Sequence, residues 1–206
     1  KNAGSLYGNI IYHKAPIMMR QLETLIGEKV FQKGVRKYIQ KYANDNADWN
    51  QLIEILDTET PIDLKLWSKV WVNESGRPII SSVVEYDSNN SIQKFEISQQ
   101  AEDGSSKLWP QTFELALVYP DGIKTINVVL NGQSVTLDAL KGIEKPKMII
   151  YNNNGYGYGV FPVNKNEIGA LDSITEDVAR ASNYINLYEN VLVGNVTAVE
   201  AIDVFM

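Results

Sequence analysis

The hydrophobic positions of residues 10–72 recur with the period of an α-helix. Apolar side chains three and four positions apart predict four helices, since that spacing places them on one face. The first should begin near His13, because Pro16 is tolerated only in a first turn, and should end at Gly27. Asp48 should cap the third. The apolar positions, in chain order, are Met18, Met19, Leu22, Leu25, Ile26, Phe31, Val35, Tyr38, Ile39, Tyr42, Trp49, Leu52, Ile53, Leu56, Leu64, Trp67, Val70 and Trp71.

After Gly76-Arg77-Pro78 the chain consists of short runs of β-branched and aromatic residues separated by turn residues. These runs predict strands, and seven of them at this spacing favour a small antiparallel sandwich or barrel. Asn131-Gly132, between the fourth and fifth runs, predicts a β-hairpin. The predicted strands are Ile79–Tyr86, Ile92–Gln99, Leu108–Tyr119, Ile123–Leu130, Gln133–Leu137, Lys147–Tyr151 and Tyr158–Val163.

Helical spacing returns from Asn166 and is interrupted once, at Gly194-Asn195. A helical run of this length is too short for a core of its own. We interpret it as the beginning of a further helical domain, or as a helical pair packed on the sandwich. The predicted fold class is therefore α+β multidomain, with domains at residues 1–78, 79–165 and 166–206. The apolar positions of the last run are Ile168, Leu171, Ile174, Val178, Ala181, Ile185, Tyr188, Leu192, Val199 and Ile202.

The composition of the 206 residues is that of a globular protein, with 44% apolar and 21% charged residues. The net charge of −6 is concentrated in residues 166–206, which contain one Lys or Arg against seven Asp or Glu. Nucleic-acid binding needs a basic face, so we expect no nucleic-acid partner. No apolar run reaches the ~18 residues of a membrane span. An acidic chain without Cys is compatible with a periplasmic or exported protein and with a cytoplasmic one.

Few side chains in the sequence suggest catalysis. Cys is absent and His13 is the single His, so no Cys-ligated metal and no zinc site of several His residues can form within this chain. Asn152–Gly159 is rich in glycine but precedes a predicted strand, whereas a phosphate loop needs a helix N-terminus; this favours a structural loop. Trp67 and Trp71, four residues apart, are more typical of a core pair than of a ligand platform. Tyr12, just before the first helix, is of a type that can donate to an oxyanion, although most such tyrosines are simply half-buried.

Residues 8–80 resemble the zinc aminopeptidases of the M1 family, the aminopeptidase N-like gluzincins. The matching residues are Tyr12-His13-Lys14-Ala15, Met18–Glu23, Gly27-Glu28, Phe31, Gly34, Tyr38, Asn46–Trp49, Leu52, Leu66-Trp67, Trp71-Val72 and Gly76-x-Pro78. The resemblance implies that residues 1–78 are the helical half of a thermolysin-like catalytic domain. It implies further that residues 79–165 are the family's small β-sandwich and that residues 166–206 begin its C-terminal helical domain.

The resemblance also implies an activity for the parent protein. In the family, a zinc ion held by His-Glu-x-x-His and a further Glu activates water, and the Glu within the motif acts as general base. A family Tyr that stabilises the oxyanion of the tetrahedral intermediate maps onto Tyr12. The implied parent uses zinc as cofactor and removes N-terminal residues from peptide substrates.

The chain departs from the family in what it lacks. His-Glu-x-x-His and the family's Gly-x-Met-x-Asn motif are absent, and His13 and Ala15-Pro16 replace the usual Glu and Gly-Ala beside Tyr12. The chain begins without Met, and we interpret it as a C-terminal piece of an M1-like peptidase whose N-terminal domains are its missing partners. We expect the piece alone to bind no catalytic zinc and to cleave nothing. The alternatives are a parent of the same fold that is a non-catalytic scaffold or binding protein, and a complete helix–sandwich binding module.

Overall fold

From Ala15 onward, four α-helices form the first part of the chain, and two small sheets with further helices form the second. A computed structural model describes residues 8, 12 and 14–205, with the backbone alone at Asp172, Asp203 and Phe205. The chain divides into a first unit, Lys1–Ser75, and a second unit, Gly76–Met206. The predicted mixture of helices and antiparallel strands is confirmed. The division into three domains, with boundaries at 78 and 165, stays a prediction.

The helices of the first unit end and begin where the sequence provides caps. They are α1 (Ala15–Ile26), α2 (Glu28–Lys41), α3 (Trp49–Asp57) and α4 (Leu64–Ser68), which continues as a π-helical turn over Lys69–Asn73. Gly27 ends α1 with a φ of 85°, and its N–H donates to the carbonyl of Glu23 at 2.8 Å. The Asp48 carboxylate accepts the N–H of Gln51 at 3.0 Å, and the Gln51 side chain accepts the N–H of Asp48 at 2.8 Å. Four helices, the end at Gly27 and the cap at Asp48 are thus confirmed; His13 lies outside the described residues.

A glycine makes the close contact between α2 and α3. Gly34 is buried, and a Cβ at this position would lie 2.3 Å from Cδ2 of Leu56, which is itself fully buried. The prediction that Ile39 belongs to the buried stripe of α2 is wrong, because its side chain is 61% exposed. Ile39 lies about 140° around the helix from Gly34, away from the face that contacts α3.

The described strands of the second unit form two three-stranded antiparallel sheets. The strands are β1 (Pro78–Tyr86), β2 (Ile92–Ala101), β3 (Gln111–Tyr119), β4 (Gly122–Leu130), β5 (Ser134–Thr136) and β6 (Met148–Ile150). The orders are β1-β2-β5 and β4-β3-β6. Side chains of both sheets share one hydrophobic core, which makes the pair a sandwich. This core includes Ile80, Phe95, Ile97, Phe113, Leu115, Leu117, Val128 and Leu130.

The predicted hairpin at Asn131-Gly132 is wrong. β4 and β5 belong to different sheets, and β5 pairs with β2 instead. Gly132 does not have the positive φ that a type I′ turn requires. Its carbonyl accepts a hydrogen bond from Nε2 of Gln99 at 2.8 Å, so the connection between the sheets is fixed by a side chain of β2.

The seventh predicted strand, Tyr158–Val163, is also wrong. Val160 makes an isolated parallel bridge to Ile79 instead of a ladder. Gly159 has a φ of 134°, which is far from strand geometry, and Pro162 has no N–H with which to continue the pairing.

The end of the second unit is helical, as predicted. A 3₁₀ segment, Lys165–Ser173, precedes α5 (Asp177–Leu192) and α6 (Ala198–Phe205), and Gly194 separates the two helices with a φ of 79°. The apolar side chains that predict α5 do not form its buried face, contrary to the usual pattern. The buried residues of α5 are Ala179, Ser182, Asn183, Asn186, Leu187 and Asn190. None of the described helices is both long and apolar enough to cross a bilayer.

Side-chain amides of α5 hold residues 151–161 against the helix. Nδ2 of Asn186 donates to the carbonyl of Tyr151 at 3.2 Å. Nδ2 of Asn190 donates to the carbonyl of Phe161 at 2.7 Å. These two carbonyls belong to residues outside the strands, so no neighbouring strand donates to them. Without the asparagine amides they would be buried without a hydrogen bond.

An ion-pair cluster joins Arg77, the residue before β1, to Glu102, the residue after β2, and to Glu189 of α5. Nε and Nη2 of Arg77 each donate to the Glu102 carboxylate at 2.9 Å, and Nη1 donates to Glu189. The hydrogen bond from Arg77 holds the pKa of Glu102 below its ordinary value, and in return the pKa of Arg77 is raised. The guanidinium therefore remains charged and fixes this corner of the second unit.

Gly34→Ala is expected to lower the free energy of unfolding by about 1–3 kcal/mol, because the added methyl group overlaps Leu56 in a packed contact. At an unobstructed helical position the same change would stabilise the protein by about 1 kcal/mol. Urea denaturation followed by tryptophan fluorescence measures the difference. In a Leu56→Ala background the loss should shrink or change sign, and an equal loss in both backgrounds would contradict the contact.

Asn190→Ala is expected to lower the free energy of unfolding by about 1–3 kcal/mol, because it leaves the buried Phe161 carbonyl without a donor. Asn50→Ala is the matched control, since Asn50 is an exposed helical Asn in α3 and should change stability by no more than about 0.5 kcal/mol. Both are measured by urea denaturation. An Asn190 variant as stable as the control would show that the amide bridge is not needed.

Candidate functional site

Tyr12 lies in a helical turn just before α1. Its side chain is 71% exposed, so the ring is a surface feature and not part of the core. Tyr12 is therefore not one of the half-buried tyrosines that are usual at such positions. Its hydroxyl has no hydrogen-bond partner among the residues that the structure describes. The site residue predicted from the sequence is thus an accessible phenol beside a helix start.

The first turn of α1 fixes the backbone next to Tyr12. Pro16 occupies an early position of the helix, where its missing N–H costs no hydrogen bond and its φ suits the helix. Lys14 is half-buried between Tyr12 and Pro16, and this burial lowers the pKa of its ammonium group. A phenol and a partly desolvated lysine therefore lie two residues apart.

The described residues do not fit a zinc site. Nowhere in residues 8, 12 and 14–205 do three or more His, Cys, Asp or Glu side chains come together in a way that could hold a metal ion. No catalytic step is therefore assigned to a metal on these residues. The Tyr12 hydroxyl can donate a hydrogen bond, but it does not by itself provide a metal site or an activated nucleophile.

The glycine-rich segment Asn152–Gly159 is a structural loop, as predicted. The Asn152 side chain accepts the N–H of Gly157 at 2.7 Å and donates to its carbonyl at 3.1 Å. The Gln111 side chain accepts the N–H of Tyr158 at 2.8 Å and donates to its carbonyl at 3.1 Å. Because these backbone groups are already paired within the protein, they are not available to bind a phosphate.

The tryptophan pair is part of the core, as its spacing predicts. The rings of Trp67 and Trp71 are stacked, with centroids 5.6 Å apart and planes inclined by 22°. Trp67 is 4% exposed and Trp71 is fully buried. A ligand platform needs an accessible ring face. The alternative interpretation, that Trp67 and Trp71 stack on a ligand, is therefore excluded for this structure.

An open groove between α2 and α3 is the feature that the sequence analysis missed. It is lined by Lys37, Gln40, Lys41, Glu54, Ile55 and Thr58. Lys33 and Lys37 both bind the carboxylate of Glu59 at its edge and hold the pKa of that carboxyl below its ordinary value. The repeated lysines of α2 are the sequence signal for it. We assign no reaction to this groove.

Comparisons with known proteins connect the first unit to a peptidase family. Residues 1–71 match the family described as the Peptidase family M1 domain. Aminopeptidase N of Streptomyces lividans is 25% identical over 191 residues, covering 85% of this chain and 22% of that protein. Aminopeptidase M1-B of Oryza sativa subsp. japonica is 32% identical over 76 residues, covering 37% of this chain and 9% of that protein. The chain thus spans about a fifth of the length of the Streptomyces protein and about a tenth of the length of the Oryza protein.

A solved structure shows the same fold. The chain superimposes on Legionella pneumophila aminopeptidase A, solved in complex with aspartic acid, with a TM-score of 0.62 at 14% sequence identity. The match covers 98% of this chain and 24% of that one. Together with the sequence matches it confirms the resemblance to the M1 aminopeptidases, which are generally zinc metallopeptidases.

Proposed function

We propose that the polypeptide to which this chain belongs is a zinc-dependent aminopeptidase, and that Tyr12 stabilises the oxyanion formed during hydrolysis. The observation that carries the proposal is the match of residues 1–71, the segment that contains Tyr12, to the peptidase family M1 domain. The exposure of the phenol supports it, because a donor to a substrate must be accessible. The proposed substrates are peptides with a free N-terminus, the class that an aminopeptidase acts on.

The proposed role of Tyr12 follows from how peptide hydrolysis moves charge. Attack on the first peptide carbonyl turns its oxygen into an oxyanion, and a donor that meets this oxygen stabilises the transition state more than the ground state. The phenol O–H of Tyr12 can donate one hydrogen bond to such an oxygen. The start of α1 at Ala15, with Pro16 in its first turn, orients the backbone from which the ring projects.

Zinc, when bound, would supply the activated water. The described residues do not provide its ligands, so in this proposal the ligands come from other parts of the polypeptide. The present chain contributes the oxyanion donor, the sandwich and the helices that follow. It follows that the chain by itself should be inactive.

Tyr12→Phe in the whole polypeptide is expected to lower kcat by about a hundredfold or more, the usual cost of one oxyanion donor. KM should change little, because the lost hydrogen bond forms mainly in the transition state. Steady-state hydrolysis of an aminoacyl reporter measures both constants. Tyr156→Phe is the matched control, since Tyr156 is another exposed tyrosine, 39% exposed in the loop of residues 152–159, and its variant should keep wild-type kcat.

Unchanged kcat in the Tyr12 variant would remove the oxyanion role while leaving the aminopeptidase assignment in place. A whole polypeptide that folds, but hydrolyses no N-terminal residue at any zinc concentration, would overturn the assignment. The non-catalytic scaffold would then be the better description.

The 206-residue chain alone is expected to release no N-terminal residue from an aminoacyl reporter, with or without added zinc, because its described residues form no metal site. The measurement is a fluorescence assay of the purified chain. Circular dichroism of the same sample provides the control that the chain is folded. Zinc-dependent release that a chelator abolishes would contradict this expectation.

A further inference from the structure

Two Asn-Gly pairs occur in the chain, Asn131-Gly132 and Asn154-Gly155. An asparagine side chain carries an electrophilic carbon, Cγ, and the backbone nitrogen of the next residue is a nucleophile that can reach it. A glycine at the next position has no Cβ to shield that nitrogen or to restrict the backbone. Each pair is therefore a candidate for spontaneous deamidation, and the fold places the two pairs in different surroundings.

The Asn131 pair lies open in the connection that leads from β4 to β5. The Asn131 side chain is exposed. No described residue forms a hydrogen bond with its carboxamide or with the N–H of Gly132. The hydrogen bond from Gln99 holds the carbonyl of Gly132, which is not one of the reacting groups. The electrophile and the nucleophile are thus both free to meet.

The Asn154 pair is held at both reacting groups. The N–H of Gly155 donates to the carbonyl of Asn152 at 3.0 Å. Oδ1 of Asn154 accepts the N–H of Tyr156 at 3.1 Å and the N–H of Glu114 at 3.4 Å. The carboxamide cannot turn towards the nitrogen until these bonds open, and their opening costs free energy. The same dipeptide is therefore restrained at this position.

We propose that Asn131 is a site of spontaneous deamidation and that the fold protects Asn154 from the same reaction. Hydroxide removes the proton of the Gly132 N–H, and the nitrogen attacks Cγ of Asn131. The new N–Cγ bond forms as the Cγ–Nδ2 bond breaks, and Nδ2 takes a proton from water and leaves as ammonia. Water then opens the resulting succinimide at Cγ, which gives Asp, or at the backbone carbonyl carbon, which gives isoAsp. Water and hydroxide are the co-reactants, and nothing is oxidised or reduced.

The reaction alters the connection between the two sheets. Either product replaces a neutral carboxamide with a carboxylate and so adds a negative charge to an acidic chain. In isoAsp the main chain runs through the side chain and is longer by one methylene directly before Gly132. The carbonyls of Gly132 and Gln133 each accept a hydrogen bond from Gln99 at 2.8 Å. The extra length therefore falls beside the contacts that hold this connection in place.

Ageing of the folded 206-residue chain in heavy-oxygen water tests the proposal. The water that opens the succinimide leaves its oxygen in the new carboxylate, so the label marks conversion in the folded protein and not during later digestion. Mass spectrometry of the digested protein gives the converted fraction at each Asn. We expect Asn131 to convert at least about tenfold faster than Asn154, because hydrogen bonds must open first at Asn154. The rate at Asn131 should rise with pH, since hydroxide removes the proton.

Asn127 is the internal control for exposure. It is also exposed, on β4, but it precedes Val128, whose β-branched side chain crowds the backbone nitrogen. Asn127 should therefore convert far more slowly than Asn131.

Gly132→Ala is the matched variant. Gly132 does not have a positive φ, and apart from its chain neighbours no described atom lies within 4 Å of where its Cβ would be. The variant should therefore fold, as checked by circular dichroism, and should convert at residue 131 more slowly because the added methyl group shields the nitrogen. In urea, where the hydrogen bonds of the loop are lost, Asn131 and Asn154 of the unchanged chain should convert at similar rates.

A rate at Asn131 no higher than the rate at Asn154 or Asn127 in the folded chain would overturn the proposal. An unchanged rate in the folded Gly132→Ala variant would exclude attack by the Gly132 nitrogen. A difference between Asn131 and Asn154 that persists undiminished in urea would show that neighbouring residues set the two rates, and the protection assigned to the fold would be wrong. None of these outcomes depends on whether the polypeptide hydrolyses peptides.

Discussion

The fold of the second unit depends on hydrogen bonds from side chains to backbone groups that have no partner in a neighbouring strand. Residues 151–161 run past the sandwich with one isolated bridge, at Val160, so their buried carbonyls and N–H groups need other partners. Amide side chains provide them: Asn152 from within the segment, Gln111 from β3, and Asn186 and Asn190 from α5. An amide can donate and accept at once, which suits a segment whose backbone offers both kinds of group.

The same constraint sets the orientation of α5 and thereby its surface. Hydrogen bonds to buried carbonyls are directional and costly to lose, whereas apolar burial has no preferred direction. When the two compete for one face of a helix, the polar bonds decide which side turns inward. Val178, Ile185 and Leu192 are exposed for this reason. In the first unit the deciding constraint is steric: Gly34 lets α2 approach Leu56 more closely than any larger residue would allow.

The sequence predicts this structure well where the determinants are local. Gly27 and Asp48 act as helix ends through their own backbone and side-chain chemistry, and neither depends on distant residues. Prediction fails where a distant side chain decides. Asn131-Gly132 has the composition of a hairpin, but Gln99 binds the carbonyl of Gly132, and the next strand pairs with β2. The buried face of α5 is missed for the same reason. Helical periodicity follows the apolar residues, and it does not reveal that Asn190 binds the carbonyl of Phe161.

At the candidate site, the composition limits the possible chemistry and the family resemblance selects Tyr12. The spacing of residues alone does not distinguish Tyr12 from the other tyrosines.

The exposure of Tyr12 bears directly on how it can act. A hydrogen bond to a developing charge is worth much more in a water-excluded site than in bulk water, because the effective dielectric constant is lower. At 71% exposure the phenol of the described chain is solvated, and water can replace it as a donor at little cost. In the proposed role, this donor gains catalytic value only when the substrate and the surrounding protein exclude water from it.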